Sequence, residues 1–339
     1  MTSARALRQL LPLQGNIVGV AMVTAALACW LLSSKYEKRI LLLRPAPNAT
    51  VPRIALRRIR APASDYVIAH DFGVSVDGLE LIDCVRLKTE PQFDICVYPP
   101  SVDVFISRAL LRSGSWEPEI SDSIVTSLRE NPGAGFLDIG ANIGAHSLRA
   151  AALGRPVVML EPLAANVKRL HKSVLRNNMT SRVRLLENAV CDMRSRRTLH
   201  VTLGNLGGNT LDRKLTPGEM RNETVTCIVM NDVTPLLPFR SAVMKIDVEG
   251  FEHRAFSHAE ELLERVDVCA IYMEWLNMKR VLRDASRPDD AVLIQNMLQM
   301  LSRHSYTPSS LQHETLDAAR ALDWPNDVVW RKRREQPRD

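Results

Sequence analysis

Glycine is scarce, at 15 of 339 residues, and the 19 prolines are no more than ordinary and are spread along the chain. That excludes a collagen-like repeat and a long low-complexity linker. No stretch repeats another, which excludes solenoid and propeller arrays. The six cysteines, at 29, 84, 96, 191, 227 and 269, include no C-x-x-C pair and no zinc spacing, so no metal is expected. Cys29 lies in an apolar run. The other five read either as one or two disulfides in a luminal body or as buried thiols in a cytosolic one. With 24% charged and 46% hydrophobic residues, the chain has room for one large domain or two modest ones, each with its own core.

The charge of +6 is unevenly placed. The ends carry an excess of twelve positive charges, in Arg5 and Arg8, in residues 35–60 and in residues 331–339, so residues 61–330 sum to −6. A nucleic-acid groove in the folded part is therefore not expected. Ile17 to Leu32 holds no charge and reads as a single membrane span, a retained signal-anchor rather than a cleaved signal. No acid precedes Glu37, which also permits a mitochondrial presequence. The expected location is the membrane of the endoplasmic reticulum or Golgi, with the mitochondrion as the alternative. Lys35, Lys38, Arg39 and Arg44 outnumber the two N-terminal arginines, which would keep the body cytosolic. Three sequons, at Asn48, Asn178 and Asn222, lean the other way. The expected order is an anchor over 1–34, a basic Pro-containing stem over 35–62, an extension over 63–134 packed on the catalytic domain, that domain over 135–330, and a basic tail over 331–339.

From Phe136 onward short apolar runs alternate with helical stretches, which predicts a doubly wound α/β fold with a mostly parallel sheet. Strands are expected at 136–139, 157–160, 183–188, 198–203, 225–229, 243–247 and 268–274. Helices are expected at 145–153, 163–177, 251–263 and 290–304. Gly207 and Gly208 read as a loop, and 327–330 as one strand of a terminal hairpin.

The turn after the first strand reads Asp138-Ile-Gly140-Ala-Asn142-Ile-Gly144. Its glycines let the backbone turn tightly and a ligand approach the helix N-terminus. A dinucleotide site wants glycine where Asn142 stands, and Asp138 adds negative charge where phosphates would sit, so the turn suits a cationic ligand such as S-adenosylmethionine. Glu161, ending the second strand 23 residues beyond Asp138, has the spacing of the acid that accepts ribose hydroxyls in Rossmann-like folds.

Together with Asp103-Val-Phe-Ile-Ser107, Gly114-Ser-Trp116-Glu117, Glu161-Pro162, Asn188-Ala-Val190, Gly207-Gly208-Asn209-Thr210, Lys245-Ile-Asp247-Val-Glu249-Gly250-Phe-Glu252 and Glu274, this constellation resembles the FkbM family of S-adenosylmethionine-dependent methyltransferases. The resemblance covers roughly residues 103–275 and departs from the pattern at Met230-Asn231-Asp232, where relatives often show Leu-Asp. It implies the class I seven-stranded fold and S-adenosylmethionine as cofactor, held by Asp138, Gly140, Asn142, Gly144, Glu161 and Asn188. It also implies methyl transfer to a hydroxyl of a sugar, polyol or related small molecule, or of a glycan.

Methyl transfer to oxygen needs alignment and a path for the acceptor's proton. Lys245, Asp247 and Glu249 alternate with apolar neighbours, so all three are expected on one side of the fourth strand, where ligands of open α/β sheets bind. Asp247 is the expected base or acceptor-orienting carboxylate, with Lys245 holding it. Glu249 and Glu274 stand second. Trp116 and Glu117 read as substrate-pocket walls, His146 as a packing or capping residue, and His253 as a surface helix residue. Two rival readings are a cofactor-binding but catalytically silent membrane interaction protein and an NAD-linked oxidoreductase.

Overall fold

The computed structural model describes residues 65–212 and 220–333. The expected span, stem and Asn48 sequon lie outside them. Among the described residues no helix is long and apolar enough to cross a membrane.

The central sheet forms from β3 (Gly135–Ile139), β4 (Val157–Leu160), β5 (Val183–Leu186), β10 (Ser241–Ile246), β11 (Asp267–Glu274), β12 (Tyr306–Ser309) and β13 (Asp327–Lys332). Their order across the sheet is β12-β13-β11-β10-β3-β4-β5, and only β13 runs antiparallel to its neighbours. Every residue of β3 and β4 is buried, as a parallel sheet covered on both faces requires. Side chains alternate between two apolar layers: Phe136, Val157 and Val243 enter one, while Leu137, Val158 and Met244 enter the other. Each such fully buried side chain contributes roughly 1.5–3 kcal/mol.

Helices α1 (Ile106–Ser113), α2 (Pro118–Glu130), α3 (Ala145–Ala152) and α4 (Ala164–Arg176) bury residues in the first layer. The second layer is covered by α5 (Met230–Val233), α6 (Glu252–Ala255), α7 (Glu260–Arg265), α8 (Leu276–Arg283) and α9 (Pro288–Arg303). The helix expected over 251–263 is broken into α6, a 3-10 turn at Phe256–His258, and α7. The basic run at the C-terminus is not all tail, because Arg331 and Lys332 belong to β13.

A second sheet, ordered β6-β9-β7-β8, is made by β6 (Ala189–Val190), β7 (Ser195–Thr202), β8 (Asn205–Thr210) and β9 (Met220–Ile228). Gly207 and Gly208 lie within β8 rather than in a loop. A side chain at Gly207 would press on Ile106 of α1, its Cβ standing 2.6 Å from the Ile106 Cδ1. In the extension, β1 (Cys84–Arg86) and β2 (Asp94–Cys96) form an antiparallel pair. β2 meets α4 where the Cys96 N–H donates to Ser173 Oγ at 2.9 Å. Four cysteines take the disulfide alternative, as Cys84–Cys96 and Cys191–Cys227.

The edge of the sheet at β5 is partly covered by residues 68–70. Ala69 bridges Leu186, the His70 N–H donates to the Leu185 carbonyl at 2.8 Å, and the Glu187 N–H donates to the Ile68 carbonyl at 2.8 Å.

Candidate active site

Gly140 leaves β3 with φ 86°, in the left-handed region where a side chain is strained. A Cβ there would stand 1.9 Å from the Asp247 carbonyl oxygen, so this glycine lets the turn pack on the loop after β10. Asn142 is also left-handed, with φ 53°, a conformation asparagine tolerates better than most residues. It is stabilised locally because its Oδ1 accepts the Ile143 N–H at 2.7 Å. The conformation aims the Asn142 N–H at Glu161 Oε2, 2.8 Å away. The other Glu161 oxygen accepts from the Leu163 N–H at 2.9 Å and from Asn166 Nδ2 at 3.2 Å. Burial pushes the Glu161 carboxyl up to about 7, against the pull of these three donors.

Gly140, Asn142, Glu161 and Asn188 all line one cleft. Three features fit a nucleoside with ribose hydroxyls and a cationic tail: a carboxylate immobilised by N–H donors, a glycine turn open to a ligand, and the Asn209 Oδ1, which is buried in the wall without a partner among the described residues. Two residues expected to touch the cofactor do something else. Asp138 is 1% exposed beneath the turn, where Ser147 Oγ donates to it at 2.6 Å, so it braces α3 from inside the protein. Gly144 lines neither this cleft nor its neighbour; a Cβ there would meet Leu170 at 2.5 Å, which makes it a packing glycine between α3 and α4. Asn188 reaches the cleft wall with its amide already committed. It accepts from the Ile68 N–H at 2.8 Å and donates to the carbonyls of Tyr66 at 2.8 Å and Thr226 at 3.1 Å.

A wider cleft adjoins the first and shares Gly140, Asn142, Asp247 and Glu249 with it. Trp116, Glu117, Lys245 and Glu274 line it. The strand β10 ends at Ile246, so only Lys245 of the three charged residues lies within it, and Asp247 and Glu249 follow in the loop. Their common location comes from that loop, in which Glu249 takes a left-handed φ of 54°. Lys245 Nζ donates to Asp247 Oδ2 at 2.7 Å. Burial works against the lysine's charge, but Asp247, Glu117 and Asp138 together raise its pKa above the ordinary value.

Asn277 Nδ2 donates to Glu249 at 3.0 Å and to Glu274 at 3.1 Å, and Arg280 holds the Asn277 Oδ1 at 2.7 Å. Burial, reinforced by Asp247, pushes Glu249 up to about 8 and Glu274 up to about 10. Glu117 goes the other way: burial is outweighed by a hydrogen bond with His146 Nε2 at 3.1 Å and by the charge of Lys245.

Sequence reasoning missed several residues of these clefts. Asn166 is wholly buried and joins Glu161 to the Tyr98 hydroxyl, whose oxygen lies 2.7 Å from the Asn166 Oδ1. Its signal is its place one helical turn into the helix that follows Glu161. Asp327 lines the wider cleft, and burial pushes it up to about 6; nothing local marks it. His146 lines the same cleft through its pair with Glu117, in addition to packing. His253 is 1% exposed rather than on the surface, and it meets Asp290 of α9 at 3.0 Å.

Residues 138–308, half of the chain, match the family model of the methyltransferase FkbM domain. Among solved structures, the chain is similar to an O-methyltransferase from Bacillus cereus in complex with SAH, at 12% identity and a TM-score of 0.38, over 64% of this chain and 83% of that one. It is also similar to a putative O-methyltransferase from Klebsiella pneumoniae, at 10% identity and a TM-score of 0.38, over 65% of this chain and 82% of that one. No curated protein matches the chain significantly.

Proposed function

This chain belongs to the FkbM methyltransferase family and uses S-adenosylmethionine, and on that premise we propose that it methylates a hydroxyl of a sugar, polyol or related small molecule. The observation that carries the reading is the junction of the two clefts at Gly140, Asn142, Asp247 and Glu249. A turn built for a nucleoside there opens directly onto a polar pocket of carboxylates with one lysine.

Bound there, S-adenosylmethionine supplies a methyl group on a sulfonium. Glu161 accepts the ribose hydroxyls, and Asn142 and Asn166 keep its carboxylate in place. Asp247 has one oxygen engaged by Lys245, which suits it to hold the acceptor hydroxyl in line rather than to remove its proton. Glu249 stands at the junction of both clefts and takes that proton. Trp116 and Glu117 form the acceptor wall.

Two cystine bridges, with Asn178 and Asn222 both exposed, support a body facing an oxidising lumen of the endoplasmic reticulum or Golgi, tethered by residues 17–32. Glycosidase sensitivity at either asparagine tests that side of the membrane, and its absence in membrane fractions argues for the cytosolic face.

The decisive assay incubates the full chain with methyl-labelled S-adenosylmethionine and a panel of sugars, polyols and free glycans. Label should appear in an alkali-stable ether on one class of hydroxyl. Label found only on amines or thiols overturns the hydroxyl assignment, and tight S-adenosylmethionine binding without transfer to any acceptor favours the silent binding protein.

A further inference from the structure

We propose that Asp247, Glu252 and Glu274 form a site for one oxygen-seeking divalent cation at the floor of the acceptor cleft, a site that rests on reading this cleft as the acceptor side. One carboxylate oxygen from each of the three residues lies within 4.8 Å of the others. Oxygen ligands of one divalent ion, bound at about 2.0–2.6 Å, stand within roughly 5 Å of one another, so the three carboxylates are close enough to share one ion.

A second observation points to a missing ligand. Glu252 is wholly buried at the start of α6. Its Oε1 accepts the Val248 N–H at 2.9 Å and lies 3.4 Å from the Gly250 N–H, while its Oε2 is buried with no hydrogen-bond partner among the described residues. An unpaired carboxylate oxygen inside a protein is costly, and coordinating a cation is one of the few ways to compensate it.

The remaining groups leave room for that charge. Of the three carboxylates only Asp247 is bonded by Lys245, and through Oδ2 alone. Glu274 is held by Asn277 at Oε2, with Arg280 fixing Asn277. Asp247 and Glu274 both line the acceptor cleft, so an ion on them has open positions toward it. Those positions suit neighbouring hydroxyl oxygens of a polyol, which bring no positive charge of their own to a cleft rich in carboxylates.

The test is direct binding to the full chain in the absence of S-adenosylmethionine and acceptor, with Mn²⁺ followed by electron paramagnetic resonance and Ca²⁺ by calorimetry. One ion per chain is expected, with affinity falling about ten- to a hundredfold in Glu252→Gln and in Glu274→Gln, and with S-adenosylmethionine affinity unchanged in both. If Glu252→Gln does not fold, Glu274→Gln alone decides, because its partner Asn277 can still bond to the amide oxygen. Failure to bind either ion up to roughly millimolar concentration overturns the site, as does equal affinity in wild type and folded variants. The assay needs no methyl transfer. A chain that binds the ion but methylates no hydroxyl refutes the proposed function and leaves the cation site standing; chelator-resistant hydroxyl methylation without ion binding does the reverse.

Discussion

The two clefts meet at the same loop and are built on opposite electrostatic terms. On the cofactor side, away from the shared junction, the carboxylate of Glu161 is met by three N–H donors from two turns and a helix. On the acceptor side Asp247, Glu249, Glu274 and Asp327 crowd around one lysine, and a lone asparagine serves two of them. The first arrangement fixes an acceptor of hydrogen bonds in advance, so little is reorganised when a ligand arrives. The second leaves carboxylates whose charge is set by their neighbours, which is where a proton can change hands.

The largest effect should fall on the crowded side. Glu249→Gln should lower turnover by roughly a hundred- to ten-thousandfold, the usual worth of a positioned base, with S-adenosylmethionine affinity intact. Asp247→Asn should instead raise KM for the acceptor while turnover changes little. Steady-state kinetics on folded variants separates them, and the opposite pattern would exchange the two roles.

On the wired side the expected loss is smaller. Glu161→Ala should weaken S-adenosylmethionine by about ten- to a hundredfold, measured by calorimetry, because hydrogen bonds to a charged acceptor disappear. The same carboxylate should give binding a pH dependence. Its value of about 7 is raised by burial, so it is ionised above that pH and protonated below it. Only the ionised form offers both oxygens to ribose hydroxyls, so affinity should fall roughly tenfold from pH 8 to pH 6. Glu161→Gln should flatten the profile; a slope that survives in it would assign the titration elsewhere.

The smallest effect on cofactor binding should come from Asn188, which separates the wall of the cofactor cleft from its working groups. Asn188→Ala removes three hydrogen bonds to the chain at Tyr66, Ile68 and Thr226 and should cost about 1–3 kcal/mol of stability, seen as a lower Tm. S-adenosylmethionine affinity should change less than about threefold, within the range of a remote structural effect. A larger loss would place the amide on the cofactor.

What the sequence makes legible in this comparison follows chain distance. The Gly140 turn and Glu161 stand close together and are wired by local backbone geometry, so spacing alone locates them. The acceptor side is assembled from afar. Asp327 faces Glu274 only because β13 inserts antiparallel between β11 and β12, pairing residues 53 positions apart. Glu252 was visible in the motif, but its burial depends on α6 turning back onto the loop after β10. Alternation suggested a shared strand face for Lys245, Asp247 and Glu249, whereas the strand stops at Ile246 and a left-handed residue completes the job. Two glycines in β8 hid a strand, since glycine normally weakens one, and here close packing on α1 compensates.

The strap of residues 68–70 along β5 also bears on how copies of this protein behave toward one another. β5 is the last strand on its side, and an uncovered edge of Val183, Leu185 and Leu186 would present a row of unpaired amides and carbonyls to any passing strand. The strap at Ala69 occupies two of those groups, the Leu185 carbonyl and the Glu187 amide, and at the opposite margin Ser309 of β12 is bridged by Thr315. Each margin of the sheet is thus partly covered by the chain itself, so a version trimmed past His70 would bare the β5 edge and acquire a sticky side and a tendency to stack into aggregates.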